Sequence, residues 1–524
     1  MDGVPPLRQR WLFSAAVFGL ALAFYLPTLA PGVLWGGGDF ALFQVKVSRL
    51  IIEPGVFGHP LYVLAAHPFT WLPVGDPAYR VNLASAVFSA AALALLFQLM
   101  LQLLAAVQPA LLGTLALLVS HTFWTYALVS KPYALNSLLL VASLLALVSW
   151  RRSRAERWLV ISGLLVGLGT LSHSLFILFP PAYLIYIYLA GATERWRAVL
   201  RFGLAFIAGL LPYVALSVGQ QTVSHSGGTG LDFLYGLLQV MITPRLWATG
   251  ALVFVATLGY QFLFSLAAVG SGAVVVWRRD RATAWLLGLS YLADVVFAWS
   301  WLHFTPELSS YMQNFHFYLP SFVIAAVWAG YGFDWLLRGW LRGRRLQGWL
   351  AALVIAAPIA TYLVTPRLVG PILTAFNPRQ LPGRDAATYL FSPWKQDETG
   401  PRQLGEAILA ALPGGATLIA DYNVHSILYY LQSVEGQRPD VQLILLDPLR
   451  QEEMFCQGSV RGPLYIPQPD RYYDLGVIQH CNTIVPAGPV NRLIPRSRSS
   501  DQHQQTGQPD QRHQDTGVQD AQQR

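Results

Sequence analysis

The chain has 524 residues, of which 54% are hydrophobic and only 12% charged, and its mean hydropathy is +0.43. Together with many apolar runs long enough to cross a bilayer, this composition excludes an ordinary soluble domain and is typical of a multi-pass membrane protein. The net charge of +8 comes mostly from arginines on short loops, so it indicates membrane topology rather than nucleic-acid binding.

The first apolar run, at about residues 11–31, follows Arg8 and Arg10 and lacks a clear small-residue cleavage site. We therefore interpret it as a membrane span and not as a signal peptide, and its basic flank predicts a cytoplasmic N-terminus. Three further spans are predicted at about 81–104, 109–129 and 133–150.

The apolar run at 158–190 is too long for one helix, and Ser172-His173 and Pro180-Pro181 interrupt it, so we predict two short spans there. Five more spans are predicted at about 202–217, 250–277, 283–302, 317–337 and 349–365. With about eleven spans, every arginine cluster falls on the side of the N-terminus, as the positive-inside rule requires. A single span at 158–190 would put all the later clusters outside.

The sequence predicts three parts that differ in composition. They are a transmembrane domain at 1–377 with its first outer loop at 32–80, an extracytoplasmic α/β domain at 378–495, and a disordered polar tail at 496–524. In the α/β domain, the patterns at 416–420 and 441–446 predict strands, and 426–432 predicts a helix. The two cysteines of this domain, Cys456 and Cys481, either pair in an oxidising compartment or stay free.

The first outer loop opens with the most distinctive residues of the chain. Residues 35–40 read Trp-Gly-Gly-Gly-Asp-Phe, so three glycines precede Asp39 at the mouth of a helix. Glycines let the backbone turn sharply or approach a ligand closely. A carboxylate at the edge of a membrane is energetically unfavourable unless it is hydrated or has a functional role. Asp39 is therefore either a functional carboxylate or a cap of this turn.

Several stretches, in order along most of the chain, match one known family. They are residues 35–40, Tyr-Arg-Val-Asn-Leu-Ala-Ser-Ala at 79–86, Tyr-Ala-Leu-Asn at 133–136, the run 167–173, His-Phe-Tyr-Leu-Pro-Ser at 316–321, and 430–441. Together they resemble the domain-of-unknown-function family 2723, which includes a protein O-mannosyltransferase of animals. The resemblance implies a GT-C-like membrane glycosyltransferase that takes a sugar from a polyprenyl-phosphate donor, gives it to an extracytoplasmic protein or glycan, and uses an acid in the first outer loop.

The chain departs from the family pattern at three places. The family motif has two acids, and only Asp39 remains here, at the position where the family has Glu. The histidine that leads the family's His-Pro-Pro-Gly motif is absent upstream of His59-Pro60, and Lys131 stands where relatives often have Glu. These departures imply a retuned mechanism or a reduced activity.

Inverting transfer from a polyprenyl phosphate needs a base for the acceptor hydroxyl and cations for the departing phosphate. Asp39 is the predicted base. Arg80, at the outer start of the second span, is the predicted phosphate ligand because a guanidinium matches phosphate bidentately; the alternative is an anchor in the headgroups. Lys131, in the outer turn after the third span, either binds phosphate or snorkels.

Three histidines complete the predicted substrate site. His59 is assigned to phosphate or acceptor binding, or to packing of its loop. His173 lies within an apolar run, where an ionisable residue is a functional hypothesis with helix packing as its alternative. His316, at the outer mouth of the tenth predicted span, is placed in the lining of the site.

No cofactor and no metal site are predicted, because nothing resembles a nucleotide-sugar site, a Walker loop or a cysteine cluster. The predicted partners are the lipid bilayer, the polyprenyl-phosphate sugar and the acceptor, and the predicted location is a bacterial plasma membrane with the C-terminus outside. Two other classes stay open. A transporter or flippase of lipid-linked sugars would show paired repeats, and none is evident. A non-catalytic membrane scaffold is favoured only by the loss of one motif acid.

Overall fold

The computed structural model describes residues 6–35, 39–53, 58–191, 194–218, 244–301, 315–339, 344–375, 381–457 and 462–496. The glycine run at 36–38 and the predicted tail beyond residue 496 lie outside these ranges.

Helices account for most of the described chain. In the part that was predicted to be transmembrane they are α1 Leu7–Tyr25, α2 Phe40–Arg49, α3 Pro60–Ala66, α4 Pro77–Leu104, α5 Val107–Leu118, α6 His121–Ala127, α7 Tyr133–Ser153, α8 Arg157–Ser172, α9 Pro180–Ala190, α10 Arg195–Val218, α11 Pro244–Phe262, α12 Leu266–Arg279, α13 Arg281–Trp301, α14 Leu319–Gly339 and α15 Arg344–Ala375. Short 3₁₀ turns at Leu26–Thr28, His67–Trp71, Ser174–Leu178, Leu263–Ser265 and Phe315–Tyr318 link some of them.

Within the described residues, eight helical segments are long and apolar enough to cross a membrane, and a ninth span results if the bent pair α5 and α6 counts as one. The chain is therefore an integral, multi-pass membrane protein. The helix α15 extends beyond the predicted end at 365 to Ala375, although it contains three prolines, Pro358, Pro366 and Pro371. Prolines are tolerated in spanning helices because neighbouring groups satisfy the freed carbonyls.

The run at 158–190 is broken where the sequence predicted it. The helix α8 ends at Ser172, and α9 begins at Pro180 after a 3₁₀ turn. A guanidinium nitrogen of Arg154, just before α8, donates to the carbonyl of Ala190, the last residue of α9, at 2.8 Å. The chain thus leaves one face of the bundle in α8 and returns to it in α9. Both helices are shorter than a full span, so the count of eleven stays a prediction.

The arginine clusters at the ends of the helices meet at one face of the bundle. Arg151 at the end of α7 pairs with Asp280 at 2.5 Å, and Arg279 at the end of α12 pairs with Asp334 of α14 at 2.6 Å. The carbonyl of Arg10 accepts a hydrogen bond from Gln98, near the end of α4. Tyr133 begins α7 at the opposite face, about 30 Å away over the 21 residues of this helix.

A five-stranded mixed sheet with flanking helices forms the C-terminal part. Its strands are β1 Thr417–Ala420, β2 Gln442–Leu445, β3 Leu464–Pro467, β4 Asn482–Ala487 and β5 Val490–Pro495, and its helices are α16 Ala386–Phe391, α17 Gly400–Ala411, α18 Tyr422–Ser433 and α19 Leu475–Cys481. The strand order is β2-β1-β3-β5-β4. Parallel pairing joins β1 to β2 and β3, and antiparallel pairing joins β5 to β3 and β4.

The interior strand β1 is covered on both faces, which explains why all four of its residues are buried. Leu418 belongs to the hydrophobic core that contains Ile427 of α18, whereas the next residue, Ile419, belongs to a separate core with Ile478 of α19. This alternation is the period of two expected for a strand. Cys456 and Cys481 form a disulfide bond, with their Cα atoms 5.3 Å apart.

Candidate functional site

The short helix α2 lies between the membrane bundle and the C-terminal sheet domain. Phe43 and Val47, one turn apart, pack with residues of α3 and α4. Ala41 and Val45, on another side of α2, belong to the hydrophobic core of the sheet domain. Because residues four apart share a helix face, this pattern gives α2 two apolar sides with different partners. Its first turn therefore sits at the junction of the two parts.

Asp39 precedes α2 and has a left-handed backbone conformation, with φ of 58°. Few non-glycine residues adopt this region, and such residues cluster at functional sites. The side chain makes no capping hydrogen bond to the helix α2. Its side chain is 46% exposed, whereas most of its neighbours are buried.

Lys131 supplies the cation next to Asp39. Its Nζ lies 3.0 Å from Asp39 Oδ2, and its side chain is only 7% exposed. The ammonium also lies 5.3 Å from the centre of the Phe43 ring. The neighbouring hydroxyl of Ser130 donates to the carbonyl of Phe40 at 2.8 Å, which fixes the turn between α6 and α7 on the start of α2. Sequence reasoning placed Asp39 and Lys131 in one site, and the structure brings them together.

Tyr422, the first residue of α18, holds the other carboxylate oxygen. Its hydroxyl donates to Asp39 Oδ1 at 2.5 Å. Burial raises the pKa of Asp39, but the charge of Lys131 and the hydrogen bonds from Tyr422 and Lys131 outweigh it, and His316 adds to them, so the pKa lies below its usual value. The carboxylate is therefore ionised over the whole neutral range and is available as a proton acceptor.

The three predicted histidines form an aromatic row beside this pair. His59 lies 5.3 Å from His173 between ring centres, and His173 lies 5.5 Å from Tyr133. Tyr133 lies 4.4 Å from His316. All four rings are buried. The structure thus brings the three histidines together at the face of the bundle that carries Asp39.

His59 is a neutral hydrogen-bonding group in this setting. Burial, followed by the charges of nearby groups such as His173, lowers the pKa of His59 well below its usual value. Its Nδ1 lies 2.5 Å from the carbonyl oxygen of Ser172, so Nδ1 carries the proton. The remaining Nε2 is then an acceptor, which suits a substrate hydroxyl better than a phosphate oxygen.

Arg80 is placed differently from the prediction. Its Nε donates to the carbonyl of Val74 at 2.8 Å, and its two terminal nitrogens donate to the carbonyls of Thr70 and Gly75 at 2.9 and 3.0 Å. The guanidinium therefore fixes the 70–75 loop, and none of these contacts joins it to Asp39. The sequence could not predict these contacts, because the conformation of the 70–75 loop determines which groups the guanidinium of Arg80 meets.

We expect Arg80→Lys to destabilise the 70–75 loop and to leave binding of a polyprenyl-phosphate donor unchanged. Lysine keeps the charge but loses the planar fork that satisfies three carbonyls at once. The apparent Michaelis constant for a polyprenyl-phosphate donor should stay within about twofold of wild type, while the thermal midpoint of the purified protein falls. A donor Michaelis constant raised tenfold or more, at unchanged stability, would restore Arg80 as a phosphate ligand.

The stretch at 79–86, which is one of the family-like motifs, contributes a buried amide. Asn82 donates to the carbonyls of Ala30 and Gly32 at 3.2 and 3.1 Å, and it accepts from Gln44 at 3.0 Å. Gln44 also donates to the carbonyl of Gly32 at 3.1 Å. These two amides hold the chain that leads from α1 into the loop of Asp39.

Sequence reasoning missed three tyrosines of the site. Tyr422 binds Asp39, Tyr133 lies between two histidines, and the hydroxyl of Tyr126 lies 2.6 Å from His316 Nδ1. The available signal for Tyr422 was its position after β1, because functional side chains gather at the carboxyl ends of parallel strands. No group of three or more potential metal ligands occurs among the described residues.

The fold is that of the GT-C glycosyltransferases, as predicted. The structure of ArnT from Cupriavidus metallidurans bound to undecaprenyl phosphate matches with a TM-score of 0.53 at 14% identity, over 92% of this chain and 97% of that one. The archaeal oligosaccharyltransferase AglB from Archaeoglobus fulgidus, in complex with an inhibitory peptide and a dolichol-phosphate, matches with a TM-score of 0.51 at 12% identity, over 92% and 74% of the two chains.

The sequence also matches a named group within this class. The family described as Protein O-mannosyl-transferase TMEM260 N-terminal domain matches residues 54–196. The Protein O-mannosyl-transferase TMEM260 of Mus musculus is 26% identical in an alignment of 480 positions, and this alignment covers 84% of this chain and 64% of the mouse protein. The resemblance drawn from the ordered motifs is confirmed, and the chain is a GT-C-like protein related to TMEM260.

Proposed function

We propose that the protein is a membrane glycosyltransferase that moves a sugar from a polyprenyl-phosphate donor to a hydroxyl of an extracytoplasmic protein or glycan. The observation that carries the proposal is the half-exposed Asp39 carboxylate, held by Lys131 and Tyr422 at the junction of the bundle and the sheet domain. The names of the similar proteins support it, since they include an O-mannosyl-transferase and structures with undecaprenyl phosphate or dolichol-phosphate bound.

The proposed reaction needs one proton acceptor and one anion-stabilising cation. Asp39 removes the proton of the acceptor hydroxyl as its oxygen attacks the anomeric carbon. The bond between that carbon and the donor phosphate oxygen breaks, and the polyprenyl phosphate leaves with both bonding electrons. The Lys131 ammonium, 3.0 Å from Asp39, neutralises the negative charge on the departing phosphate. The new glycosidic bond has the opposite anomeric configuration to the donor.

The three histidines are proposed to line the part of the site that holds the acceptor and the sugar. His59 presents an acceptor nitrogen, and His173 and His316 continue the row through Tyr133. Aromatic and imidazole rings give sugars both apolar faces and hydrogen-bonding edges.

The proposed orientation places the arginine face in the cytoplasm and the sheet domain outside. The support is that Arg151, Arg154 and Arg279 all make their contacts at one face of the bundle, whereas Asp39 meets the sheet domain at the other. The bacterial plasma membrane stays a prediction from the sequence.

A reporter enzyme tests this orientation. We expect a periplasmic reporter fused after Ala375, the last residue of α15, to be active and a cytoplasmic reporter at the same point to be silent. The same pair fused after Arg154 should give the reverse result, which provides the internal control. A silent periplasmic reporter after Ala375 would contradict both the orientation and the external site.

The function is tested with purified protein in lipid and a polyprenyl-phosphate donor that carries a radiolabelled sugar. We expect label to pass to an added acceptor and polyprenyl phosphate to accumulate, with Asp39→Asn as the inactive control. Movement of intact donor across the vesicle membrane without cleavage would indicate a flippase. Binding of donor or acceptor without either event would indicate a scaffold.

A further inference from the structure

The helix α18 of the sheet domain runs alongside α2 in the same direction. At the N-terminal ends of the two helices, the hydroxyl of Tyr422 donates to Asp39 Oδ1 at 2.5 Å. At their C-terminal ends, Arg49 donates to the carbonyl of Ser433 at 2.8 Å. Asp39 and Tyr422 are 383 positions apart in sequence, so the sheet domain delivers this contact as a folded unit.

Further contacts hold the sheet domain in register with the loop of Asp39. The hydroxyl of Tyr430, on α18, accepts a hydrogen bond from the backbone of Ala78 at 2.9 Å. Arg402 bridges Asp76, at 2.7 Å, and Glu435. Together with the shared hydrophobic core, these contacts restrict the position of α18 against α2. The Tyr422 hydroxyl is therefore a pre-positioned donor and not a chance surface contact.

We propose that Tyr422 is a positioning residue that completes the active site from the sheet domain by fixing the Asp39 carboxylate for proton abstraction. This inference rests on the proposed function. Tyr422 orients Asp39 Oδ1, Lys131 holds Oδ2, and the carboxylate plane is then set by both contacts. A single fixed orientation matters because a general base must meet the acceptor proton along a hydrogen bond.

Several other groups face Asp39 besides Tyr422. Lys131 lies on the turn before α7, His316 on the 3₁₀ turn before α14, and Tyr126 and Tyr133 interact electrostatically with Asp39 from α6 and α7. Burial, and then the charge of Asp39, raises the pKa of Tyr422 far above neutrality. The hydroxyl therefore stays a donor at every working pH.

Removal of the Tyr422 hydroxyl should shift the pKa of Asp39 in a defined direction. A hydrogen bond to the ionised carboxylate lowers its pKa, so its loss moves the pKa of Asp39 upward. The base form is then lost at a higher pH. In Tyr422→Phe we expect the acid limb of the turnover profile to move up by about one pH unit, with a loss of turnover of about tenfold at the plateau and an unchanged donor Michaelis constant.

The matched control is Tyr429→Phe, which removes a hydroxyl from the same helix, where Tyr429 stacks on His425. We expect its pH profile to coincide with wild type. A Tyr422→Phe profile that keeps the wild-type acid limb, whatever its plateau, would overturn the inference while leaving the proposed function intact. If Asp39→Asn retains full activity, the base assignment fails instead.

A measurement that does not depend on turnover distinguishes failure of the Tyr422 inference from failure of the proposed function. Carbodiimides modify the protonated carboxyl, and the Asp39 side chain is 46% exposed. The pH midpoint of Asp39 modification, read by mass spectrometry of its peptide, should rise in Tyr422→Phe by the same shift of about one unit. An unchanged midpoint would overturn the inference, even in a protein with no detectable transfer.

Discussion

Replacement of Asp39 by asparagine should abolish most of the transferase activity. A positioned general base contributes a factor of roughly 10² to 10⁴ in rate, and an amide cannot accept the proton. Asparagine keeps the shape of the side chain, and its amide still offers one oxygen to Lys131 and one nitrogen to the Tyr422 hydroxyl. The variant should therefore fold and bind donor with little change. The measurement is turnover at saturating donor and acceptor.

The companion variant is Asp39→Glu, which keeps the charge and lengthens the reach by one methylene. Because the related family carries Glu at this position, we expect Asp39→Glu to retain more activity than Asp39→Asn. Equal losses in both variants would indicate that Asp39 acts by shape and not by its charge. Full activity in Asp39→Asn would remove it as the base.

The order of spans could be predicted because each depends on a local pattern. The break at Ser172-His173 and Pro180-Pro181 was visible in the sequence, and the hydrogen bond from Arg154 to Ala190 shows why two short helices were the right interpretation. The strands at 417–420 and 442–445 followed from apolar runs in the same way. Local periodicity carries this information without any knowledge of the tertiary structure.

The site was only partly predictable, because its contacts are far apart in sequence. Asp39 and Lys131 were both assigned to the outer face by topology, and they meet. Tyr422 could not be assigned, since nothing in a sheet domain's sequence states which membrane loop it will cover. Arg80 carried the right chemistry for a phosphate, yet three loop carbonyls engage it. Residue type and membrane side were thus sufficient to place Asp39 with Lys131 and insufficient to assign the contacts of Tyr422 and Arg80.

Lys131→Met should lower turnover about as much as Asp39→Asn does. The variant removes the cation at 3.0 Å from Asp39 and, under the proposed reaction, the charge that stabilises the departing phosphate. Loss of such electrostatic stabilisation costs roughly 10² to 10³ in turnover. The pKa of Asp39 also rises when its nearest cation is removed, so the acid limb should move upward as well. Lys131→Arg should recover part of the activity because it keeps a charge in the turn.

The sharpest control is Lys46, a second buried lysine near Asp39, which lies on the short helix α2. Lys46 has a side chain only 6% exposed and pairs with Glu53 at 2.7 Å, and its ammonium lies 5.6 Å from the centre of the same Phe43 ring. Lys46→Met therefore removes a buried cation from α2 without removing either partner of the Asp39–Lys131 pair. We expect its turnover to stay within about threefold of wild type and its acid limb to stay in place. If Lys46→Met lost as much activity as Lys131→Met, destabilisation of α2 would explain both losses. Lys131 would then have no specific part in the transfer.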